Sequence, residues 1–274
     1  MDKIACIGSG NMGLALMKGA ASVVGGENIF FSDADAGKAR AAAASLGAAV
    51  YNSNSDAIGN GEFVFLAVKP QVLPHVLAEI APMAIKRFDG GFPPVLVSMA
   101  AGWSISKIQT AIGAELPVVR IMPNTPALIG RGMIALAASS GFPDEKIDEL
   151  EKILAGAGIV DRLDERYMDA VTGLSGSGPA FVYLFIDALA DGGVQAGLPR
   201  DKALRYAAQT VHGAAAMVQE TGKQPAELIN MVTSPGGTTL AGLAALENGA
   251  FRDTVIKAVD AARRRSIELA NKRY

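Results

Sequence analysis

Ahead of residue 162, short apolar runs alternate with stretches of helical period; after it only the helical period continues. KIACIG (3–8), NIFFS (28–32) and FVFLAV (63–68) read as strands, with helices after Asn11, from Ala36 to Leu46 and from about Gln71. PVLVSM (94–99), PVVRIM (117–122) and GMIALAA (132–138) continue the strand pattern, followed by a helix from Asp144 to Leu154 and a short strand, GIVDRL (158–163). Strands alternating with helices predict βαβ units and a mostly parallel sheet.

Behind that point DERYMDAVTGL, GPAFVYLFIDALADGGVQAGL, RDKALRYAAQTVHGAAAMVQETG, PAELINMV and the final run from Phe251 all carry helical patterns broken by Gly, Pro and capping residues. The expected architecture is α/β: a sheet domain over 1–161, followed by an all-helical domain over 162–274. Within the latter, Phe181 to Ile186 are apolar in succession, so the helix from Pro179 to Ala190 calls for cover on every side. A central core helix or a helical dimer interface would supply it.

Composition narrows the partners. Of 274 residues, 25 Lys and Arg face 27 Asp and Glu, a net charge of -2 that gives no field for nucleic acid or an anionic membrane. A small molecule is the expected partner. Half the residues are hydrophobic and 19% are charged, as in a compact enzyme or an oligomer subunit. The single cysteine, Cys6, excludes an internal disulfide and fits a reducing cytosol. The longest apolar stretch, GPAFVYLFIDALA, is interrupted by Asp187, and GSGNMG breaks the amino-terminal run where a signal peptide would need its apolar centre. The expectation is a soluble, cytoplasmic protein. Two histidines and one cysteine stand far apart and no acidic cluster has ligand spacing, so no metal site is expected. His75 and His212 read as surface or satisfied core residues.

The chemistry concentrates in a few motifs. Gly8, Gly10 and Gly13 stand in G-x-G-x-x-G spacing between a strand and a helix, where the first permits a tight turn, the second lets a pyrophosphate approach the backbone, and the third lets helix pack on strand. Past the second strand, Ser32 and Asp33 send a mixed signal: an acid accepts from a ribose 2′-hydroxyl and favours NAD, whereas a 2′-phosphate wants donors or an arginine such as Arg40. Lys69 and Pro70 end a strand at the edge where open parallel sheets bind ligands, and Asn124 and Thr125 follow a later strand with groups suited to a nicotinamide amide or ribose. Near the carboxyl end, Gly236 and Gly237 precede Thr238, Thr239 and an apolar helix. Their bare amides and the helix dipole suit a carboxylate, or else Ser234, Thr238 and Thr239 simply cap the helix.

No histidine and acid pair of the kind used by 2-hydroxy-acid dehydrogenases is evident. Reduction of a ketone leaves an alkoxide that must be protonated, whereas a protonated imine accepts hydride to give a neutral amine, so the absence leans towards C=N reduction.

The blocks GSGNMG, AVKP, MPNTPA, GLSGSGPAF and TSPGGTT, in this order and spacing, resemble the pyrroline-5-carboxylate reductases, and the resemblance runs from Lys3 to the last helix. It implies NADPH- or NADH-dependent reduction of a cyclic imine, 1-pyrroline-5-carboxylate, to proline, by a Rossmann-type domain followed by a helical dimerisation domain, in homodimers often assembled into rings. Carried over, it implies a substrate carboxylate on the amides of Gly236, Gly237 and Thr239 with help from Ser234, and the Thr239 hydroxyl on the ring nitrogen. Thr238 occupies a variable position. The cofactor would lie over Gly8, Ser9, Gly10, Asn11, Met12 and Gly13, with Ala67, Val68, Lys69 and Pro70 near its centre and Ser32 and Asn54 near the adenosine ribose. Asp33 departs from the serine, arginine or other donor common in members preferring NADPH.

Two other readings remain at this stage. A 3-hydroxyacid dehydrogenase of the β-hydroxyacid type needs a lysine on the first turns of its long helix, where this chain has Phe181 and Val182. A non-catalytic NAD(P)-sensing module would keep the glycine loop without needing the Gly-Thr anion site.

Overall fold

The computed structural model describes residues 3–271. Its amino-terminal part runs β1 (Ile4–Ile7), α1 (Asn11–Val24), β2 (Ile29–Ser32), α2 (Ala36–Leu46), β3 (Ala49–Val50), α3 (Asn54–Asn60), β4 (Phe63–Leu66), α4 (Leu73–Asp89), β5 (Val95–Ser98), α5 (Ile105–Ile112), β6 (Val118–Met122), β7 (Gly132–Ala138), α6 (Asp144–Ala155) and β8 (Gly158–Arg162). The strands form one sheet in the order β3-β2-β1-β4-β5-β6-β7-β8. Every pair is parallel except β6 with β7. Chain order turns around at β1, which lies between β2 and β4 with Ile7 in register with both Ser32 and Leu66.

The central strands are continuous apolar runs because both faces are covered. Ile4 and Cys6 of β1 join Leu16 of α1, Ala43 of α2 and Ile153 of α6 in one core. Ala5 and Ile7 join Ile58 of α3, Leu77 of α4 and Ile108 of α5 in the other. Helix ends follow local chemistry: Asp35 caps α2, Ser53 caps α3 and Ser104 caps α5, each accepting from backbone amides of the first turn. The two-residue β3 and the short α3 and α5 escape the sequence patterns, being too brief for a period to register.

After β8 the chain continues through α7 (Met168–Val171), a π-helical turn (Thr172–Gly176), α8 (Gly178–Gln195), α9 (Arg200–Thr221), α10 (Pro225–Met231), α11 (Thr238–Asn248) and α12 (Phe251–Ala270). Compactness divides the chain differently from the sequence expectation of a boundary at 161/162. One unit runs to Ser177 and resumes at Ala261, and the other is Gly178–Asp260. The shift has a packing reason. Met168 is buried with Met122, Ala135 and Ala137 against the sheet, and Ser266 of α12 donates to Asp169 at 2.6 Å.

In the helical unit α8 packs on α9 through Ala190, Ala203 and Ala207, and Arg200 pairs with Asp187 and Asp191. Within one chain α8 is no central core helix: Tyr183 is 58% and Leu184 72% exposed, and Met231 and Ile256 also lie open. The stretch Glu165–Gln195 is long and apolar enough to cross a membrane by length and composition alone, with a mean hydropathy of 1.2 over its most apolar window. The sequence pattern, judged by uninterrupted apolar runs, passes over it because Asp187 breaks the run.

Candidate functional site

The glycine loop leaves β1 at Gly8 and enters α1 at Asn11. Gly8 has φ +101°, and a Cβ there would meet the Ala67 carbonyl oxygen at 2.6 Å, so both conformation and space require glycine. Gly13 is set by packing, since its Cβ would lie 2.4 Å from the Gly8 carbonyl oxygen. Gly10 differs: nothing lies within 4 Å of its Cβ position. Its bareness serves what comes from outside. The first turn of α1 has no side-chain cap and no acid, leaving its amides and dipole open to an anion. These features fit the pyrophosphate of a dinucleotide.

Beyond the loop opens a crevice of about 710 Å³ at the carboxyl ends of β1, β2 and β4. Of the residues expected from sequence to hold a cofactor, Gly8, Gly10, Ser32, Asp33, Asn54, Ala67, Val68 and Lys69 form part of its wall. Ser9, Asn11, Met12, Gly13, Pro70 and Asn124 do not line it. Met12 packs on the core, and the Pro70 carbonyl accepts from the Trp103 indole at 3.2 Å. The Asn124 carboxamide is a brace: its Oδ1 accepts from the Met133 amide at 2.9 Å and its Nδ2 donates to the Ser175 carbonyl at 3.0 Å. His75 and Glu79 of α4 stand in the wall with Val72 and Val76, all on one helix face. That spacing, 72, 75, 76 and 79, was available in the sequence, but nothing there says that this end of the helix faces a ligand. Arg40 lies outside the wall, whereas Lys38 is part of it.

At the carboxyl end of β2 Asp33 is held firmly. Its Oδ2 accepts from the Ser9 amide and the Ser9 hydroxyl, both at 2.7 Å, and its Oδ1 accepts from the Asp35 amide at 2.9 Å. Burial pushes its pKa up, but these hydrogen bonds, with Lys38 nearby, outweigh it and hold the carboxyl below its ordinary value. Next to it Ser32 Oγ lies 2.7 Å from Asn54 Oδ1, and Asn54 Nδ2 lies 2.8 Å from Glu79 Oε2. Cys6, beneath the loop, is fully buried, and burial followed by the Asp33 charge pushes its thiol pKa far up, as suits inert core.

A hollow of similar size, about 660 Å³, lies against Leu116 and Pro117, which lead into β6. It has no glycine loop, and Glu115, Asp164 and Glu165 line it, which suits no anion.

In the helical unit, Ser234 to Gly237 make a tight turn. Gly236 sits at φ +69° and the Gly237 amide donates to the Ser234 carbonyl at 3.0 Å. That amide is therefore used within the turn, unlike the sequence expectation that it faces a carboxylate. Gly237 is the N-cap of α11 and no side chain caps the helix, so Ser234, Thr238 and Thr239 are not serving as caps. The first helical hydrogen bond is donated by the Ala241 amide to the Gly237 carbonyl oxygen at 3.3 Å. The amides ahead of it, at Thr238, Thr239 and Leu240, are the orphans of an open helix start. Among the described residues no group of His, Cys, Asp and Glu could hold a metal ion.

The fold and the crevice define a Rossmann-type dinucleotide-binding protein with a helical second unit. Comparisons with known proteins narrow the class. Residues 165–269 match the family model for pyrroline-5-carboxylate reductase dimerisation, and residues 3–102 match that for NADP oxidoreductases, coenzyme F420-dependent. The pyrroline-5-carboxylate reductase of Pisum sativum is 42% identical over 266 residues, 96% of this chain and 94% of that one. The solved structure of a pyrroline-5-carboxylate reductase from Coxiella burnetii superposes with a TM-score of 0.90 at 31% identity, covering 99% of each chain. That of the Plasmodium falciparum pyrroline carboxylate reductase, with NADP bound, does so at 0.85 and 31%, covering 98% of each. The chain belongs to the pyrroline-5-carboxylate reductase family.

Proposed function

We propose that this chain reduces 1-pyrroline-5-carboxylate to L-proline with NADPH or NADH. The observation that carries the reading is the uncapped start of α11 behind the Ser234–Gly237 turn, a ready carboxylate site in a chain that also has a dinucleotide crevice. The dinucleotide, when bound, supplies the hydride. The chain's part is to hold and orient. Open amides at the start of α11, Thr239 among them, take the substrate carboxylate with the helix dipole behind them, and the turn of Ser234, Gly236 and Gly237 presents that helix end. The Thr239 hydroxyl hydrogen-bonds the ring nitrogen and so fixes which carbon is presented; Thr238 has the lesser role. The nitrogen is protonated from solvent beforehand, so the C=N π bond opens to a neutral secondary amine without an enzymatic acid. Orientation and charge placement carry the catalysis.

The domain assignment that goes with this reading is a dinucleotide-binding part, 1–161, and a substrate-binding and dimerisation part, 162–274. The open apolar surfaces of the helical unit support a homodimer, with rings of dimers as a further step of assembly. A second copy of the chain, rather than lipid, covers α8, a reading supported by the Asp187, Asp191 and Arg200 ion pairs on its flank. The working compartment is the cytoplasm, in keeping with the one buried thiol.

The test is loss of reduced-nicotinamide absorbance on adding pyrroline-5-carboxylate, with proline identified as product. Turnover is expected. Folded protein that binds dinucleotide yet turns over no imine would overturn the reading in favour of a sensor or a hydroxyacid dehydrogenase.

A further inference from the structure

The ribose end of the crevice carries an inference about which dinucleotide the chain takes, and it rests on the reading of that crevice as the cofactor site. A 2′-phosphate needs hydrogen-bond donors and positive charge; a free 2′-hydroxyl needs an acceptor. Both kinds of group can be followed atom by atom here.

The Ser32 donor is turned inward. A carboxylate only accepts, so the Asn54 atom facing Glu79 Oε2 at 2.8 Å must be the amide nitrogen. The Asn54 oxygen therefore faces Ser32, and the Ser32 hydroxyl donates its one hydrogen to it at 2.7 Å. Ser32, the residue best placed to donate to a phosphate, has none left to give. Lys38 Nζ, largely solvent-exposed, stands 3.7 Å from Asp35 Oδ2 and so shares its charge with that carboxylate and with solvent.

The acceptor is in place. Asp33 follows β2 directly, 20 residues beyond Gly13, the separation at which a ribose-binding acid is found in dinucleotide folds. Its carboxylate is clamped against the phosphate loop by Ser9 and the Asp35 amide, which use two acceptor positions on Oδ2 and one on Oδ1. A position on Oδ1 remains for a ribose hydroxyl. With Glu79 in the same wall, a dianionic phosphate would enter beside two carboxylates.

We propose that the crevice is built for an unphosphorylated adenosine ribose, that the chain therefore takes NADH in preference to NADPH, and that Asp33 is the residue that decides it. In this it departs from the Plasmodium relative solved with NADP.

Isothermal titration of the full-length protein with NADH and with NADPH at fixed ionic strength tests this without relying on turnover. NADH should bind tighter by on the order of tenfold or more, the discrimination expected when like charges are forced together. Asp33→Ser should weaken NADH and strengthen NADPH, narrowing or inverting the ratio. Because Asp33 also braces the loop, Glu79→Gln serves as a second variant: it keeps the contact to Asn54, removes one negative charge, and should raise NADPH affinity several-fold with NADH little changed. NADPH binding as tightly as NADH in the unaltered protein, or a ratio indifferent to both substitutions, would overturn the proposal while leaving the crevice as the dinucleotide site. Failure of both dinucleotides to bind would overturn the crevice reading itself.

Discussion

Ser266 Oγ donates to Asp169 Oδ1 at 2.6 Å across 97 positions of sequence, and Ser266 is only 2% exposed. The bond ties the end of α12 to α7, and with them the last helical turns join the sheet unit, where Lys107 Nζ also reaches the Ala270 carbonyl. A hydrogen bond to a charged acceptor contributes about 1.5–3 kcal/mol. Ser266→Ala should lower unfolding free energy by about that much in urea titration, and an unchanged midpoint would mean that α12 is held by other contacts.

The glycine loop separates folding from binding at neighbouring positions. Gly13→Ala pushes a methyl to 2.4 Å from the Gly8 carbonyl oxygen and should cut thermal stability together with dinucleotide affinity. Gly10→Ala has open space within 4 Å and an ordinary φ of -70°, so the protein should melt normally. Its methyl would stand where the pyrophosphate approaches, so binding of either dinucleotide should weaken by roughly tenfold or more. Equal melting points for the two variants, or full-strength binding by Gly10→Ala, would remove the packing argument.

Those glycines were legible in the sequence because strand, motif and helix stood in order, and the same holds for the continuous apolar strands around β1 and β4. The glycine turn ahead of α11 is visible in the sequence, though not its internal geometry: that the Gly237 amide is spent on Ser234 depends on the φ of Gly236, which sequence leaves open. The surroundings of Asn124 are hidden from the sequence for a related reason. A polar residue after a strand looks ligand-facing until both ends of its amide find partners at Met133 and Ser175, 9 and 51 residues away. His75 and Glu79 were missed because the direction of a helix face is a tertiary property. The boundary near 161 follows a change of period, whereas compactness follows Met168 and Ser266, single residues that no periodicity marks.

Asp33 gives a pH dependence with a defined sign. Its carboxyl pKa in the folded protein lies below the ordinary value of 3.8, so the ionised form stabilises the fold. That contribution is complete above 3.8 and is lost as pH falls through the folded-state value. Unfolding measured between neutral and strongly acidic pH should show unaltered protein losing more stability below that point than Asp33→Asn, which has no charge to neutralise. Parallel pH profiles for the two would mean that Ser9 and Asp35 do not favour the ionised form.

Arg120 is 7% exposed along its side chain and meets Glu165 Oε1 at 3.2 Å, while Glu165 Oε1 also accepts from the Ile105 amide at 2.8 Å. Nε and Nη2 of Arg120 have no protein partner. Removing only the acid strands a buried cation, a loss of about 3–5 kcal/mol, whereas replacing the cation by an apolar side chain of similar length removes an incompletely satisfied group. Glu165→Ala should therefore destabilise more than Arg120→Met in chemical denaturation. The reverse order would mean that the guanidinium contributes packing or contacts that outweigh its desolvation.

Thr238 and Thr239 begin the same helix without capping it, so their side chains can be exchanged at little cost to folding. They differ in the job assigned to them. If the Thr239 hydroxyl holds the imine nitrogen, Thr239→Ala should lower kcat/KM by the value of one hydrogen bond made in the transition state, about 1–3 kcal/mol or roughly five- to 150-fold. Thr238→Ala should change it far less. Because the backbone amides stay, a carboxylate that is not reduced, such as proline itself, should bind both variants through the helix start with little change, separating anion binding from orientation of the nitrogen. Equal effects of the two substitutions on turnover would leave the helix start as an anion site and take the nitrogen contact away from Thr239.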